Sequence, residues 1–449
     1  MSVKNLTGKP SVDKPWLKYY PGFFLKKIKV PACSLTQYLQ KNMPGPQVSA
    51  IHYYGTEITW AQIFAESTRI AKALKAAGCG EGDQIPVFLR SVPEFVSTLI
   101  AVERIGASLL IRDNEPYENA EAIRKAGAKI LIAHDFLSQA EMKTYISETD
   151  LERIVVLNPL RSCSRWDMPD YIRESFYSLY DHECAHGDFV ITWDEFLEMG
   201  KGINEVDAPI DIDRPLFRCY TSGSTGPSKQ VIHSARTIIG VLSQMNFYGG
   251  KTSKRPTWMV TILPPALVAV VVSMILLPLV SNKLLILNPW VAPEDLDLEC
   301  MRYKPNNWPM IPMFLEILMN SKRIPEDYDI SHLTAIGAGA EACNNTQIQR
   351  VQEFLAKHNS KLPFTTGYGS SEAGSNLTFH VSGRSAGNCN MGCPMPLTTV
   401  TICKPGTTQE LPYGQSGEIC VSGPGVMMGY DTKEATDKAL KDHEDGNAW

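Results

Sequence analysis

The sequence predicts an α/β chain built on mostly parallel sheets covered by helices, and three observations carry that prediction. Apolar strand-like runs alternate with helical patterns over 60–157, and the same alternation resumes over 216–368. From residue 377 onward the character changes to short β-rich runs separated by Gly and Pro. Length and composition agree, because 449 residues with 44% hydrophobic and 20% charged content describe a globular chain long enough for more than one packed core.

Taken in order, Thr59 and Trp60 lead an amphipathic helix as far as Gly78, and Gly82, Asp83 and Gln84 then enter an apolar strand over 85–89. A second helix is expected over 94–105, stopped by Gly106. Residues 161–188 are polar and irregular and read as a surface excursion. A short buried strand over 216–220 precedes a run of Gly, Ser and Thr, and apolar residues at helical spacing follow over 232–245. Further strands are expected over 258–263, 284–287 and 334–337. The apolar stretch 266–279 is interrupted by Ser273 and Pro278 and falls short of the roughly 20 residues a bilayer span needs, so it reads as a buried helix. Strands over 400–403 and 418–421 complete a small β subdomain.

Charge and cysteine usage exclude several function classes. The formal net charge of -5 is small for this size and no long basic run appears, so neither nucleic acid nor an anionic membrane is indicated as a partner. Lys26, Lys27 and Lys29 read as solvated charges. Eleven cysteines without an apolar secretory leader predict a reducing, cytoplasmic setting. Cys389 and Cys393 lie close together, yet no partner pair or histidine cluster at zinc spacing accompanies them and His380 stands alone.

Residues 220–231 read YTSGSTGPSKQV, and this run carries the most chemistry in the chain. Glycine lets the backbone fold around an anion and aim successive N–H groups at it, while the hydroxyls of Thr221, Ser222, Ser224 and Thr225 donate hydrogen bonds. Lys229 adds a mobile positive charge. A flexible connector has a similar composition, but a strand before and a helix after place the run where a phosphate site is expected. Gly223, Gly226 and Lys229 do not fit the Walker spacing, and the run is no G-x-S-x-G nucleophile elbow, because Ser222 and not glycine stands two positions before Ser224.

The run resembles the signature loop of the adenylate-forming enzymes, the superfamily of acyl-CoA synthetases, luciferases and peptide-synthetase adenylation domains. That family writes T-S-G-[ST]-T-G-x-P-K-G, and Thr221, Ser222, Gly223, Ser224, Thr225, Gly226 and Lys229 match in order. Proline arrives one position early, at Pro227, and Gln230 stands where the family has glycine, a change expected to alter the turn into the following helix. Downstream, Gly367, Tyr368, Gly369, Ser370, Ser371 and Glu372 resemble the family's second block. The resemblance implies that Tyr368 stacks on adenine, that Ser371 touches the α-phosphate and that Glu372 binds magnesium. A flat ring suits a base, and a carboxylate is the hard oxygen ligand magnesium prefers. Residues 333–341, LTAIGAGAE, resemble the adenosine-contacting strip and add Gly339, Ala340 and Glu341 to the nucleotide site. Gly417, Glu418, Gly423, Val426, Gly429 and Tyr430 resemble a fourth block, which reads as structural.

What the resemblance implies reaches beyond the motifs. The fold would be two helix-flanked, mostly parallel sheets packed together, with a small distorted β-barrel beside them. Residues 1–213 would form a first α/β subdomain, 214–375 a second that carries the phosphate loop and the magnesium acid, and 376–449 the β-rich subdomain. The family continues into an aromatic-Arg-Thr-Gly-Asp element and a lid domain bearing a lysine for adenylation; the sequence reaches Trp449 where that element is due. A chain without that lid is expected to bind nucleotide weakly and turn over poorly. The implied reaction joins a carboxylic acid to the α-phosphate of ATP with release of pyrophosphate, and then passes the acyl group to a thiol. Thr221, Lys229 and Glu372 would serve that chemistry, with ATP, Mg2+ and coenzyme A as cofactors. The thiol could instead be the phosphopantetheine of a carrier protein, and a non-catalytic nucleotide-binding relative is the remaining alternative.

The acid is read from what is missing. Amino-acid-activating relatives place an aspartate after the strand at 258–263, whereas Pro264, Pro265, Ala266, Leu267 and Val268 offer none, and an unpaired ammonium there would be costly. An uncharged apolar or aromatic tail is therefore expected, near Leu267, Val271, Trp308, Met310 and Met313. Each of these side chains would also serve as plain core. Acyl-CoA-forming relatives often carry an aromatic-His pair where Ala266 and Leu267 stand.

Overall fold

The computed structural model describes residues 6–20, 22, 28–112, 116–164, 168–221, 228–246, 255–341, 343–380 and 390–442. Two large sheets dominate. The eight-stranded sheet runs Gly429–Tyr430, Gln230–Ser234, Pro215–Tyr220, Ser108–Ile111, Gln84–Phe88, Ile130–His134, Arg153–Leu157 and Val190–Thr192. Its strands are parallel from Pro215–Tyr220 onward, and the first two are antiparallel to their neighbours. The seven-stranded sheet runs Thr365–Thr366, Ala335–Ala338, Asn307–Met310, Thr257–Thr261, Leu284–Asn288, Ser49–Tyr53 and Thr56–Thr59. Only the last pairing in it is antiparallel.

Burial on both faces explains the apolar runs. All five residues of Ile130–His134 and all four of Ser108–Ile111 are buried, as parallel strands roofed by helices on each side require. The helix Trp60–Ala76 starts at a capping box between Thr59 and Gln62 and ends before Gly78, which takes a positive φ of 82°. It packs on Pro93–Arg104, whose proline occupies the first helical turn and whose exit is Gly106. Both elements lie where the sequence places them. Within the stretch 266–279 helix begins only at Val268 and is largely buried from there, and Val270–Leu276 adopts the wider π form before Leu277–Val280.

The sheets do not divide at residue 213. Strands Pro215–Tyr220 and Gln230–Ser234, expected in the second subdomain, belong to the sheet built from residues 84–192, while Ser49–Tyr53 and Thr56–Thr59 cross to the other sheet. Alternating polarity marks which residues face a core, but strand neighbours are set by long-range pairing that no local pattern encodes.

Residues 161–188 are a second correction. Asp170–Tyr177 is a helix with Ile172 and Phe176 buried in the main core. Tyr171 Oη donates to Glu299 Oε1 at 2.5 Å, and the rings of Phe176 and Trp290 meet edge-on with centroids 5.8 Å apart. Met168, Ile172 and Phe176 recur at four-residue spacing, a helical signal that the surrounding polar residues hide. Trp290 in turn donates from Nε1 to Tyr53 Oη at 3.0 Å, and its ring meets that of His134 on the eight-stranded sheet edge-on at 5.2 Å, so aromatic side chains join the two sheets.

The C-terminal region holds two short antiparallel pairs, Thr378–Phe379 with Cys393–Pro394 and Thr399–Cys403 with Glu418–Ser422. The N-terminal segment clasps it, with Ser11 Oγ donating to Glu410 Oε2 at 2.5 Å and Tyr20 Oη to the Pro394 carbonyl at 2.6 Å. Among the described residues no helix is long and apolar enough to cross a membrane, and no group of three or more His, Cys, Asp and Glu side chains could hold a metal.

Candidate active site

Residues 220–221 and 228–231 close the base of a β-hairpin. Tyr220 pairs with Gln230 across the antiparallel strands Pro215–Tyr220 and Gln230–Ser234. Thr221 N donates to Lys229 O at 2.9 Å, Lys229 N to Thr221 Oγ1 at 3.0 Å and Ser228 Oγ to Thr221 O at 2.6 Å. These bonds close the neck from which Lys229 projects. Ser222, Gly223, Ser224, Thr225 and Gly226 lie outside the described residues.

A hairpin replaces the expected strand, loop and helix. The helix begins only at Ala235, capped by Ser234, so its N-terminus is a whole strand away from the loop. Lys229 therefore stands away from the helix N-terminus and its dipole. The β-branched Val231 and Ile232 favour the extra strand, and Ser234 as an N-cap marks the true helix start. The same geometry resolves Gln230. It sits in the strand, not in a turn into a helix, and its side chain donates to Tyr220 Oη at 3.1 Å and accepts from Arg218 Nη1 at 3.3 Å.

The second block folds back on itself beside this hairpin. Thr365–Thr366 runs parallel to Ala335–Ala338, and Gly367 N donates to Ala338 O at 3.2 Å, which sets the strip Gly339, Ala340, Glu341 alongside Tyr368. Ala340 takes a left-handed φ of 68°. Gly369 and Ser370 pair with Asn376 and Ser375, and the turn between them carries Ser371 and Glu372. Tyr368 is 37% exposed, its ring open to a stacking partner.

Three contacts tie this turn to the hairpin strand Gln230–Ser234 and to the segment 427–430 paired beside it. His233 Nε2 lies 2.8 Å from the Ser371 carbonyl, Met427 N donates to the Glu372 carbonyl at 2.7 Å, and Tyr430 Oη donates to Glu372 Oε1 at 2.7 Å. Lys229 Nζ stands 5.0 Å from the centroid of the Tyr430 ring. Residues from three separated motifs thus meet. His233 and Tyr430 are the ones the sequence reading missed. His233 alternates with Val231 on one strand face, and Tyr430 belongs to the block read as structural.

His233 is neutral. A carbonyl can only accept, so Nε2 carries the proton, and burial pushes the pKa down to about 4. His134 is held down to about 3 by burial, with Nε2 accepting from Arg90 N at 2.9 Å. Both would titrate near 6.5 in the unfolded chain, so below that pH the unfolded state binds protons first. Their contribution to stability is complete above about pH 6.5 and is lost as pH falls toward 4 and then 3. Thermal unfolding followed from pH 7 to pH 4 is expected to show a falling midpoint, with His233 contributing about 3 kcal/mol across the window. A His233→Gln variant should lose stability less steeply; an identical slope would refute the assignment.

The residues expected to line the acyl side differ in burial and in the core they join. Val271 is buried in one core cluster and Trp308 and Met310 in another, while Leu267 and Met313 are 42% and 50% exposed. Trp308 Nε1 donates to Thr261 Oγ1 at 3.3 Å. After Thr261 the chain turns sharply, with Ile262 at φ 56° and its carbonyl accepting from Arg90 Nη1 at 3.2 Å. This leads into Pro264 and Pro265.

Residues 40–431 match the model of a family described as AMP-binding enzyme. The chain belongs to that family. A long-chain-fatty-acid–CoA ligase from Bacillus subtilis is 24% identical over 446 residues, 96% of this chain and 76% of that protein. A 4-coumarate–CoA ligase from Solanum tuberosum is 25% identical over 401 residues, covering 85% of this chain and 66% of that one. Among solved structures, a long-chain-fatty-acid-CoA ligase from Archaeoglobus fulgidus superposes with a TM-score of 0.76 at 18% identity, over 93% of this chain and 80% of that one. The resemblance to adenylate-forming enzymes and the α/β fold of two helix-flanked, mostly parallel sheets are thereby borne out. This AMP-binding enzyme is acyl-CoA synthetase-like.

Glu372 suits a magnesium ion. Its carboxylate is an oxygen donor that takes one protein hydrogen bond among the described residues, from Tyr430 Oη, which leaves lone pairs for an ion. An ion there would complete its shell with water and phosphate oxygens, the usual habit of magnesium.

Proposed function

We propose that this AMP-binding enzyme activates a carboxylic acid with ATP and passes the acyl group to the thiol of coenzyme A. In the first step a carboxylate oxygen attacks the α-phosphorus and the bond to the bridging oxygen breaks, giving acyl-adenylate and pyrophosphate. In the second, the thiol sulfur attacks the acyl carbon and AMP leaves. The chain's task is to position the reactants and oppose the charge that builds on the phosphates.

Role follows residue type. Tyr368 would stack on adenine beside Gly339, Ala340 and Glu341; Thr221 to Gly226 and Ser370 would supply N–H and hydroxyl donors; Ser371 would meet the α-phosphate. Lys229 opposes the developing negative charge. Glu372 would hold magnesium, which neutralises phosphate charge when bound. The observation that carries this reading is the meeting of Lys229 and Glu372 around Tyr430, from motifs far apart in sequence.

The acid is read as one with an uncharged apolar or aromatic tail. Two relatives are named for a long-chain fatty acid and for 4-coumarate, and no acidic side chain lies in the 264–268 segment to match a substrate ammonium. The thiol-bearing acceptor is read as free coenzyme A because the relatives' names include it. A cytoplasmic setting fits the chain's cysteine usage, with Cys33, Cys79, Cys163 and Cys219 among its free thiols.

Pyrophosphate release with ATP and a panel of fatty, aromatic and amino acids tests the reading. Release is expected with apolar and aromatic acids, followed by acyl transfer to coenzyme A in preference to a carrier-protein phosphopantetheine. Release with no acid, or with amino acids alone, overturns it.

A further inference from the structure

Lys229 and Glu372 carry opposite charges in one site, yet neither has an oppositely charged partner within ion-pair distance among the described residues. A phenol stands between them. Tyr430 Oη donates to Glu372 Oε1 at 2.7 Å, and the face of the same ring lies under the Lys229 ammonium, 5.0 Å from Nζ to centroid. The hydroxyl gives the carboxylate an oriented but uncharged partner. The ring gives the ammonium a favourable face without neutralising it. Direct pairing of the two would spend both charges on each other.

The tyrosine is itself held firmly. Gly429–Tyr430 pairs antiparallel with Gln230–Ser234, Tyr430 opposite Val231, so its place is set relative to the strand that follows Lys229. Tyr430 N donates to Thr436 Oγ1 at 2.9 Å, and the ring packs with Val231 and Met427 in a small core. Met427 N, three residues earlier, donates to the Glu372 carbonyl at 2.7 Å. One segment therefore grips Glu372 at both backbone and side chain.

We infer that Tyr430 is a positioning residue that keeps Lys229 and Glu372 apart and oriented for a metal-bound nucleotide. The inference rests on the nucleotide reading above. Partners that orient a metal ligand typically contribute about 10- to 100-fold in metal affinity. Removing only the hydroxyl should therefore weaken binding that depends on the metal, and removing the ring should also disturb the lysine.

Mn2+ and ATP are suitable probes, with binding measured by calorimetry on this chain and Mn2+ followed by its paramagnetic resonance. For Tyr430→Phe, affinity for Mn2+-ATP is expected to fall about tenfold or more, while ATP binding in excess chelator stays at the wild-type value. For Tyr430→Leu, both are expected to weaken. Equal Mn2+-ATP affinity in wild type and Tyr430→Phe overturns the inference. So does an equal loss with and without metal, which would signal a collapsed site. If the wild-type chain binds no nucleotide under either condition, the nucleotide reading itself fails and takes this one with it.

Discussion

Glu372→Gln is expected to lower acid-dependent ATP–pyrophosphate exchange by about 10²- to 10³-fold, the scale of removing one well-placed electrostatic group. Glutamine keeps the shape and an amide oxygen that can still accept from Tyr430 Oη, so the turn should remain folded. What disappears is the negative oxygen pair a hard cation needs. Nucleotide binding should suffer less than exchange, because the adenine face at Tyr368 and the hairpin donors are untouched. Exchange and ATP affinity measured side by side decide the point. A variant whose exchange stays within about tenfold of wild type would remove Glu372 from the chemistry.

Gly369→Ala is the second large expected effect, and its cause is steric. A Cβ at Gly369 would collide with the Ser375 carbonyl oxygen and lie 2.8 Å from its carbon and 3.2 Å from Asn376 Cα. All three are backbone atoms of the returning strand, so no side-chain rotation relieves the clash. Nor can the strand yield easily. Ser375 is buried with a φ of 131°, and its Oγ sits 2.5 Å from Ser273 Oγ on the π-helical segment Val270–Leu276. The turn that carries Ser371 and Glu372 must therefore shift as a unit. Urea denaturation is expected to register a loss of about 3 kcal/mol, and exchange should fall by about 100-fold, as a displacement near 1 Å can cause. Gly367→Ala is the control. Its Cβ would meet the Thr378 carbonyl at an ordinary 3.6 Å, so stability and exchange should stay near wild type. Similar losses in both variants would show that glycine is required for some reason other than this contact.

The pattern of α/β alternation and the motifs that carry the family resemblance were legible because each depends on nearby residues. Periodicity shows which side chains face a core. Glycine, hydroxyl and acid spacing shows which backbone can approach an anion or a cation. The helix Trp60–Ala76 was readable on the same ground, from Thr59 as its cap to Gly78 beyond its end.

Only the tertiary structure decided how these pieces meet. It joined Pro215–Tyr220 to Gln230–Ser234 as a hairpin, moved Ser49–Tyr53 and Pro215–Tyr220 into sheets other than those expected, and buried one side of Asp170–Tyr177. It also set Tyr430 between Lys229 and Glu372, and His233 against the Ser371 carbonyl. Strand pairing and side-chain encounter depend on residues hundreds of positions apart. A local pattern can say which face a tyrosine presents, while the neighbour that face finds is chosen by the packing of the whole chain.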